Sequence, residues 1–319
     1  MNKKVSVIAP ARLHMGFIDL SGSLGRDFGS IGVALNEIAT RLSISYSNQF
    51  SIIGLSSKRA EKCARILCDV LNVPEQIEIE LETVIPEHVG LGSGTQMALA
   101  IGSALNAFYD LGLSIREIAQ LTERGMRSGI GIGVFELGGL VVDGGRGKLT
   151  KIPPVISHMD IPESWCFILV FDETDQGLHG EQEIKAFKEL DAFPAEEAAR
   201  LCYLLLMQGL PAIAEQNINL FGDVITQIQR SVGEHFASVQ GGVFSSAEVA
   251  EVMQWLEQNK VVAVGQTSWG PTGFCAVDNK QKAEGLVSEM RQKFSHFKRL
   301  KFVTTSASNG GGTVDITYY

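Results

Sequence analysis

The sequence predicts an α+β protein organised as two domains, and three observations carry that expectation. At 319 residues the chain is longer than one ordinary domain and can bury a good core. Its first half mixes early strands of period-2 hydrophobicity with two central helices. Its second half is mostly helical, and then runs strand, loop, strand, helix, strand, strand. Hydrophobic residues make up 45% of the chain, the usual share for a globular fold.

Taken in order, Val5 to Phe17 reads as a strand that enters a glycine-punctuated loop, SGSLGRDFGSIG (21–32). Thr40 to Tyr46 alternates through Leu42, Ile44 and Tyr46, and Ile52–Leu55 adds a short strand. Lys58 to Leu71 has helical spacing, with Cys63, Ile66, Leu67, Val70 and Leu71 on one face. In QIEIELETVIP (76–86), Ile77, Ile79 and Leu81 alternate with Glu78, Glu80 and Glu82, as in a strand buried on one face. A glycine-rich turn, Gly90 to Gln96, then leads into an alanine-rich helix from Met97 to Phe108. Ser114 and Glu117 form a capping-box start for a helix reaching Arg124. Residues 125–147 are glycine-dense and strand-like, and Trp165 to Phe171 is a buried strand. These elements define a first domain over residues 1–170.

The second domain, residues 171–319, opens with helices over Glu181–Leu190, Pro194–Gln208 and Asn219–Arg230. Ser245 and Glu248 read as a second capping box, opening a helix over Ala247–Asn259. Val261–Val264 and Phe274–Val277 are strands around the loop GQTSWGPTG (265–273). A helix over Lys280–Phe294 and a terminal strand pair, Leu300–Thr304 and Thr313–Tyr318, complete a ferredoxin-like order. A cleft is expected between the domains.

A formal net charge of −9 argues against a general affinity for nucleic acid or anionic membrane, so any anion site is local. Five cysteines, odd in number and without C-x-x-C spacing, read as reduced core residues. The opening MNKKVSVIAPARLH has too short an apolar run for a signal peptide, and no stretch approaches about 20 apolar residues. A cytoplasmic protein is expected.

Strand, glycine loop, helix is a natural phosphate cradle, because glycines admit close approach and the first-turn amides of a helix have no internal partners. Gly90, Gly92, Ser93, Gly94, Thr95 and Gln96 are therefore candidate binding residues, although a glycine turn that merely packs strand on helix has the same pattern. The loop is neither a Walker A sequence nor a G-x-G-x-x-G fingerprint. Arg12 and His14 share one face of their strand, with Asp19, Arg26 and Asp27 near them in sequence. Arginine suits bidentate anion recognition, and the group fits either a cleft site or surface ion pairs beside a satisfied core histidine. Ser268, Trp269 and Gly270 lie in a third glycine-rich patch; Trp269 fits a flat ligand or the core. Arg127 sits beside glycines, and His179 and Glu181 border a polar turn where the domains should meet.

Together these patches resemble the GHMP kinase superfamily across nearly the whole chain. PARLHMGFIDLSG (10–22) is similar to its first motif, VGLGSGTQMALAIG (89–102) to its phosphate loop, and GQTSWGPTGF to its third. The resemblance implies an N-terminal domain like the second domain of ribosomal protein S5 and a ferredoxin-like C-terminal domain. Two departures stand out. The first motif commonly has lysine where this chain has Arg12, and Ile132 stands where many members place an acidic base. The combination LHMGFIDLSG…GRDFGSIGVAL, RSGIGIGVFELGGLVVDGG, GLHGEQE and GQTSWGPTG resembles, more narrowly, the β-ribofuranosylaminobenzene 5′-phosphate synthase family.

That resemblance implies condensation of 5-phosphoribosyl 1-diphosphate with 4-aminobenzoate or 4-hydroxybenzoate, with loss of CO2 and diphosphate, in tetrahydromethanopterin biosynthesis. It implies Mg2+ with the diphosphate, no organic cofactor, and a homodimer. Arg12, Arg26 or Arg127 and the amides around Gly92–Thr95 would hold the diphosphate, Asp19 or Asp27 would stabilise a cationic intermediate, and His14 would orient one of them. An ATP-dependent small-molecule kinase and a catalytically silent ligand sensor are the competing expectations.

Overall fold

The computed structural model describes residues 3–175, 177 and 180–319. Two long antiparallel strands, β1 (Lys3–Asp19) and β2 (Arg26–Tyr46), are the spine of its first sheet. Only residues 21–25 of the expected glycine loop lie outside the strands; from Arg26 the chain is already strand. The β1–β2 register shifts between Pro10 and Arg12 and again between His14 and Gly16. Such irregularities re-aim side chains, and these two bracket Arg12 and His14.

The sheet continues with β3 (Ser51–Gly54) and β4 (Ile77–Thr83) in the order β12-β1-β2-β4-β3, where β12 is Thr313–Tyr318. Beside them lie β5 (Leu140–Asp143), β6 (Arg146–Gly147) and β7 (Val155–Met159). The helices α1 (Ser57–Leu71), α2 (Ser93–Phe108), α3 (Ile115–Leu121) and α4 (Ile130–Leu137) belong to this half. Val5, Val7, Ile44, Ile77 and Ile79 share one core with Leu67 of α1 and Leu99 and Leu105 of α2. The capping box at Ser114 and Glu117 forms as expected.

The second sheet has the order β11-β8-β10-β9, with β8 (Cys166–Asp172), β9 (Val262–Gln266), β10 (Gly273–Val277) and β11 (Leu300–Ser306) all antiparallel. With α9 (Ala247–Gln258) and α10 (Lys280–Lys293) as its crossovers, this is the ferredoxin-like arrangement. Before them come α5 (Glu181–Glu189), α6 (Ala195–Leu204), one π-helical turn (Leu205–Gly209), α7 (Leu210–Ala214) and α8 (Ile218–Gln240). Helix α8 lies between the sheets: Phe221, Ile225 and Ile228 share a core with Leu13 and Met15 of β1 and Phe167 and Leu169 of β8.

Several elements differ from expectation. The glycine-dense segment after Gly129 forms helix α4, because an added Cβ at Gly133 would stand 2.6 Å from Val141 Cγ1: the glycines let a helix lie directly on β5. Strand β8 belongs to the second sheet, so the sheets part ahead of Trp165 and not at residue 170. The last two strands do not pair with each other; β11 joins β8, and β12 joins β1. Helix α1 buries Ala60, Ala64, Leu67 and Cys68, which leaves Ile66 and Val70 about half exposed. The cap of α9 is Ser246, which accepts from the Val249 amide, and not Ser245.

Candidate active site

The first turn of α2 is open. Its N-cap, Gly92, is left-handed at φ 77° and supplies no side-chain cap, and no acidic residue occupies the first turn. Exposed first-turn amides and the positive end of the helix dipole together favour an anion there. Three arginines approach this end. Arg12 donates through Nη1 to the Gly90 carbonyl at 2.5 Å, and its Cγ is so near Gly92 that a Cβ there would stand 2.8 Å away. Arg59 Nη1 reaches Ser93 Oγ at 3.5 Å and pairs with Glu87 at 3.2 Å. A Cβ on Gly94 would lie 2.5 Å from Arg59 Nη2 and 3.6 Å from Arg124 Nη1, so both guanidinium groups stand over that glycine. Arg124 Nε is buried with no hydrogen-bond partner among the described residues.

Burial lowers the pKa of Arg12 to about 10, against a partial restoring effect of Glu183. Arg124 is lowered by burial as well, with Arg59 adding repulsion that Cys63 and Glu123 oppose. Both remain cations at neutral pH. Clustering three of them costs electrostatic free energy that a bound polyanion would offset.

Opposite the helix end, Glu183 of α5 accepts from Arg127 Nη1 at 2.8 Å and from Trp269 Nε1 at 3.2 Å. The Arg127 guanidinium lies over the Phe187 ring at 4.7 Å. Trp269 is buried and stacks on Phe236 with centroids 4.4 Å apart and planes at 10°. It is a wall of the cleft with one face already covered, so it offers no open platform for a ligand. Between these walls lies a cleft of about 400 Å3, lined by Gly90 to Thr95, Arg59, Arg124, Glu183 and Ser268 to Gly270.

Strand β1 and the glycine-rich patch 265–273 meet the loop through one hydroxyl. Thr267 Oγ1 accepts from the His14 amide at 3.0 Å and donates to the Gly90 carbonyl at 2.8 Å. His14 itself is 3% exposed and meets Phe17 edge-on at 4.8 Å. Its Nδ1 accepts from the Gly16 amide at 3.3 Å, which leaves the ring proton on Nε2. Burial first, and then the charge of Arg12, hold its pKa well below the usual histidine value, so the ring is neutral.

The structure thus gathers Gly90, Gly92, Ser93, Gly94, Thr95, Ser268, Trp269 and Gly270 around one cleft, with Arg12 joined to its lining at Gly90, Arg127 at Glu183, and His14 through Thr267. Other expected residues lie elsewhere. Asp19 Oδ1 accepts from the Ser21 amide and hydroxyl, closing its own turn. Arg26 donates to the Gly144 and Gly145 carbonyls, and Asp27 is exposed in register with Arg146, so these two fasten the β1–β2 turn to the turn after β5. Gln96 is fully buried and donates to the Gly131 carbonyl, tying α2 to α4. Glu181 is exposed in the first turn of α5; the glutamate of that motif that meets the cleft is Glu183. His179 lies outside the described residues. Sequence reasoning missed Arg59, Glu183 and Thr267 as site residues. The last two lie inside motifs already singled out, and Arg124 stands with Arg127 in the same cationic, glycine-flanked patch, whereas nothing local distinguishes Arg59 from a surface cation.

Comparison with known proteins gives the family and the fold. The model of the GHMP kinases N terminal domain matches residues 58–139, and that of the GHMP kinases C terminal matches residues 210–296. A beta-ribofuranosylphenol 5'-phosphate synthase of Archaeoglobus fulgidus is 32% identical, over 96% of this chain and 98% of its own. One of Methanocaldococcus jannaschii is 33% identical, over 95% of this chain and 97% of its own. Among solved structures, a homoserine kinase from Cytophaga hutchinsonii superposes with a TM-score of 0.70 at 16% identity, covering 98% of this chain and 97% of its own, a likeness of fold.

Proposed function

From the premise that this chain belongs to the GHMP kinase superfamily, and within it to the β-ribofuranosylphenol 5′-phosphate synthase family, we propose that it joins 5-phosphoribosyl 1-diphosphate to a 4-substituted benzoate with loss of CO2 and diphosphate. The observation that carries this reading is the convergence of Arg12, Arg59 and Arg124 on the uncapped N-terminus of α2. As the bond from sugar C1 to oxygen breaks, charge accumulates on the diphosphate, and fixed donors aimed at that charge lower the barrier. The benzoate ring carbon that bears the carboxylate supplies the electron pair for the new C–C bond. The electron pair of its bond to the carboxylate then returns to the ring as CO2 leaves. No protein nucleophile enters, and no base is needed to deprotonate an alcohol. Position 132, where a kinase of this superfamily commonly has an acid, is a buried isoleucine on α4.

Among the described residues no three metal-donor side chains cluster. Glu183 and Ser93 do line the cleft with oxygen donors, a set that suits Mg2+, which takes most of its ligands from substrate phosphates and water. When bound, the ion would neutralise part of the diphosphate charge. We place the product in tetrahydromethanopterin assembly and the enzyme in the cytoplasm as a homodimer. The resemblance to the synthase family supports the first, the free cysteines the second, and the exposed edge strand β12 the third. Isotope tracing of the product and sedimentation equilibrium check the pathway and the dimer.

The decisive assay is release of CO2 from carboxyl-labelled 4-hydroxybenzoate and 4-aminobenzoate, with and without 5-phosphoribosyl 1-diphosphate and Mg2+. The expected result is release that requires the sugar diphosphate and is matched by diphosphate one to one. No release from either acid, with ATP consumed on an added alcohol, would overturn the synthase reading in favour of a kinase.

A further inference from the structure

Helix α1 carries Arg59, Lys62, Cys63, Ile66 and Leu67 at the spacing i, i+3, i+4, i+7 and i+8, which is one face of a helix. Of these only Leu67 is buried, and Ile66 is 48% exposed. The face looks onto a second cavity, of about 310 Å3, whose other walls are Gly94 and Met97 of α2 and Thr122 and Arg124 just after α3. That volume lies within the range of small-molecule sites, about 300–1,000 Å3.

The cavity combines two surfaces. Leu67 and Met97 give it a buried apolar lining, to which Ile66 adds, and three cations border it. Arg59 pairs with Glu87, whereas Lys62 and Arg124 pair with no carboxylate among the described residues. Arg124 Nε is in addition buried without a hydrogen-bond partner there. A half-buried cation without a counter-charge is costly, and an organic anion with a flat apolar body would satisfy both surfaces. The cavity and the cleft share Arg59, Gly94 and Arg124. Gly94 has no side chain and the Arg59 side chain is 37% exposed, so two guanidinium groups over one backbone stretch divide them, not packed core.

We infer that this second cavity is the subsite of the benzoate, with its ring against Ile66, Leu67 and Met97 and its carboxylate at Arg59 and Arg124 on the boundary with the cleft. The inference rests on the synthase reading above. The acid enters from the side of Lys62 and Ile66, and only its carboxylate-bearing carbon has to face the start of α2, where the sugar diphosphate lies. A methionine sulfur and neighbouring cations suit the edge and face of an aromatic ring. Thr122 Oγ1 spends its proton on the Ile118 carbonyl at 2.8 Å, so its lone pairs can accept from a para hydroxyl or a para amine, and the cavity takes either acid. A guanidinium has five N–H donors and can hold the carboxylate on one side and the diphosphate on the other. Held in this way, the carboxylate stays on the ring until the ring carbon bonds to sugar C1. The departing diphosphate then carries new charge and competes for the same N–H groups, and the pair of the bond to the carboxylate returns to the ring as CO2 leaves.

Two measurements test this. Ile66→Trp fills the cavity from its exposed side and should raise KM for 4-hydroxybenzoate and 4-aminobenzoate about tenfold, with KM for the sugar diphosphate unchanged. An unchanged benzoate KM in folded Ile66→Trp overturns the inference, while its release of CO2 keeps the synthase reading. The second measurement needs neither turnover nor a variant. Cys63 lines the cavity and is partly exposed, so its alkylation by N-ethylmaleimide, mapped by peptide mass spectrometry, reports occupancy. With inorganic diphosphate present, either acid should slow the labelling of Cys63 severalfold and leave that of Cys202 unchanged. 4-Hydroxybenzamide keeps the ring but loses the charge, and should protect far less. Labelling that neither acid slows overturns the inference, as does equal protection by the amide. Protection by ATP and by neither acid assigns the cavity to a nucleotide and overturns it too. If no CO2 is released yet both acids protect Cys63, the synthase reading falls and the cavity stands as an aromatic-acid site.

Discussion

Arginine at position 12 keeps its charge where lysine, the residue many superfamily members have there, would be losing it. Burial brings the Arg12 pKa to about 10, still well above neutrality. A lysine starts near 10.4, so the same burial would bring it down to roughly 8. Arg12→Lys should therefore lose kcat/KM for the sugar diphosphate about tenfold near pH 7 and progressively more above pH 8, whereas wild type holds its value through pH 9. Parallel pH profiles for the two enzymes would falsify this account. His14 lies on the other side of the same balance. Its depressed pKa means that the unfolded chain binds a proton more readily, so the fold loses stability as pH drops below about 6.5, the ordinary histidine value. Arg12 and the loop glycines were legible in the sequence because one short segment supplies each motif. Arg124 was legible only as one more cation beside glycines, and Arg59 not at all, since only the packing of α1 and the segment after α3 against the start of α2 reveals that they share Gly94.

At the scale of one element, the start of α2 separates two kinds of glycine. Gly92 sits at φ 77°, and a Cβ there meets the Cγ of Arg12, so Gly92→Ala combines left-handed strain of about 1–2 kcal/mol with displacement of a buried side chain. Gly94 is inside the helix, and its added Cβ would crowd the far end of Arg59 and touch Arg124 at ordinary contact distance. Gly94→Ala should hold or slightly raise the melting temperature while raising KM for the sugar diphosphate at least tenfold, because alanine favours the helix and Arg59 is pushed aside. Gly92→Ala should lose both stability and affinity. Thermal melts alongside initial rates check the contrast; equal effects at both positions would count against it. The sequence placed the helix start at Met97, four residues late, because glycine and serine read as a turn by composition. The same composition concealed α4, whose Gly133 serves its contact with β5 and Gly131 its contact with α2, not a loop.

At the scale of the molecule, the two sheets are joined by a few specific contacts beside the large shared core. Glu37 of β2 accepts from the Ser306 amide at 2.8 Å, the Ser306 hydroxyl at 3.0 Å and the Thr305 hydroxyl, all on β11. Burial raises its pKa, but those hydrogen bonds lower it further, and the net direction is down. Its contribution is thus fully present above the ordinary carboxylate value and is lost as pH falls through the lowered one. Glu37→Gln should lower the melting temperature at pH 7 by roughly 2 °C and by distinctly less at pH 3. An equal loss at both pH values would show that the charge is not involved. The overall architecture was legible because the strand and helix order of the second half admits few sheets. Which strands belong to which sheet was not legible, since β8 and β12 are assigned by partners far away in the chain, not by their own pattern.

The return of β12 to β1 also bears on how the chain is made. Lys3 faces Tyr318 and Val7 faces Val314 across that ladder, so the outermost pairing of the first sheet waits until Thr313–Tyr318 has left the ribosome. A nascent chain that has emerged only through β7 therefore presents β1 with one edge open to other strands, including those of neighbouring nascent chains. Its N-terminal half cannot finish folding on its own schedule, and during translation it depends on whatever shields that edge.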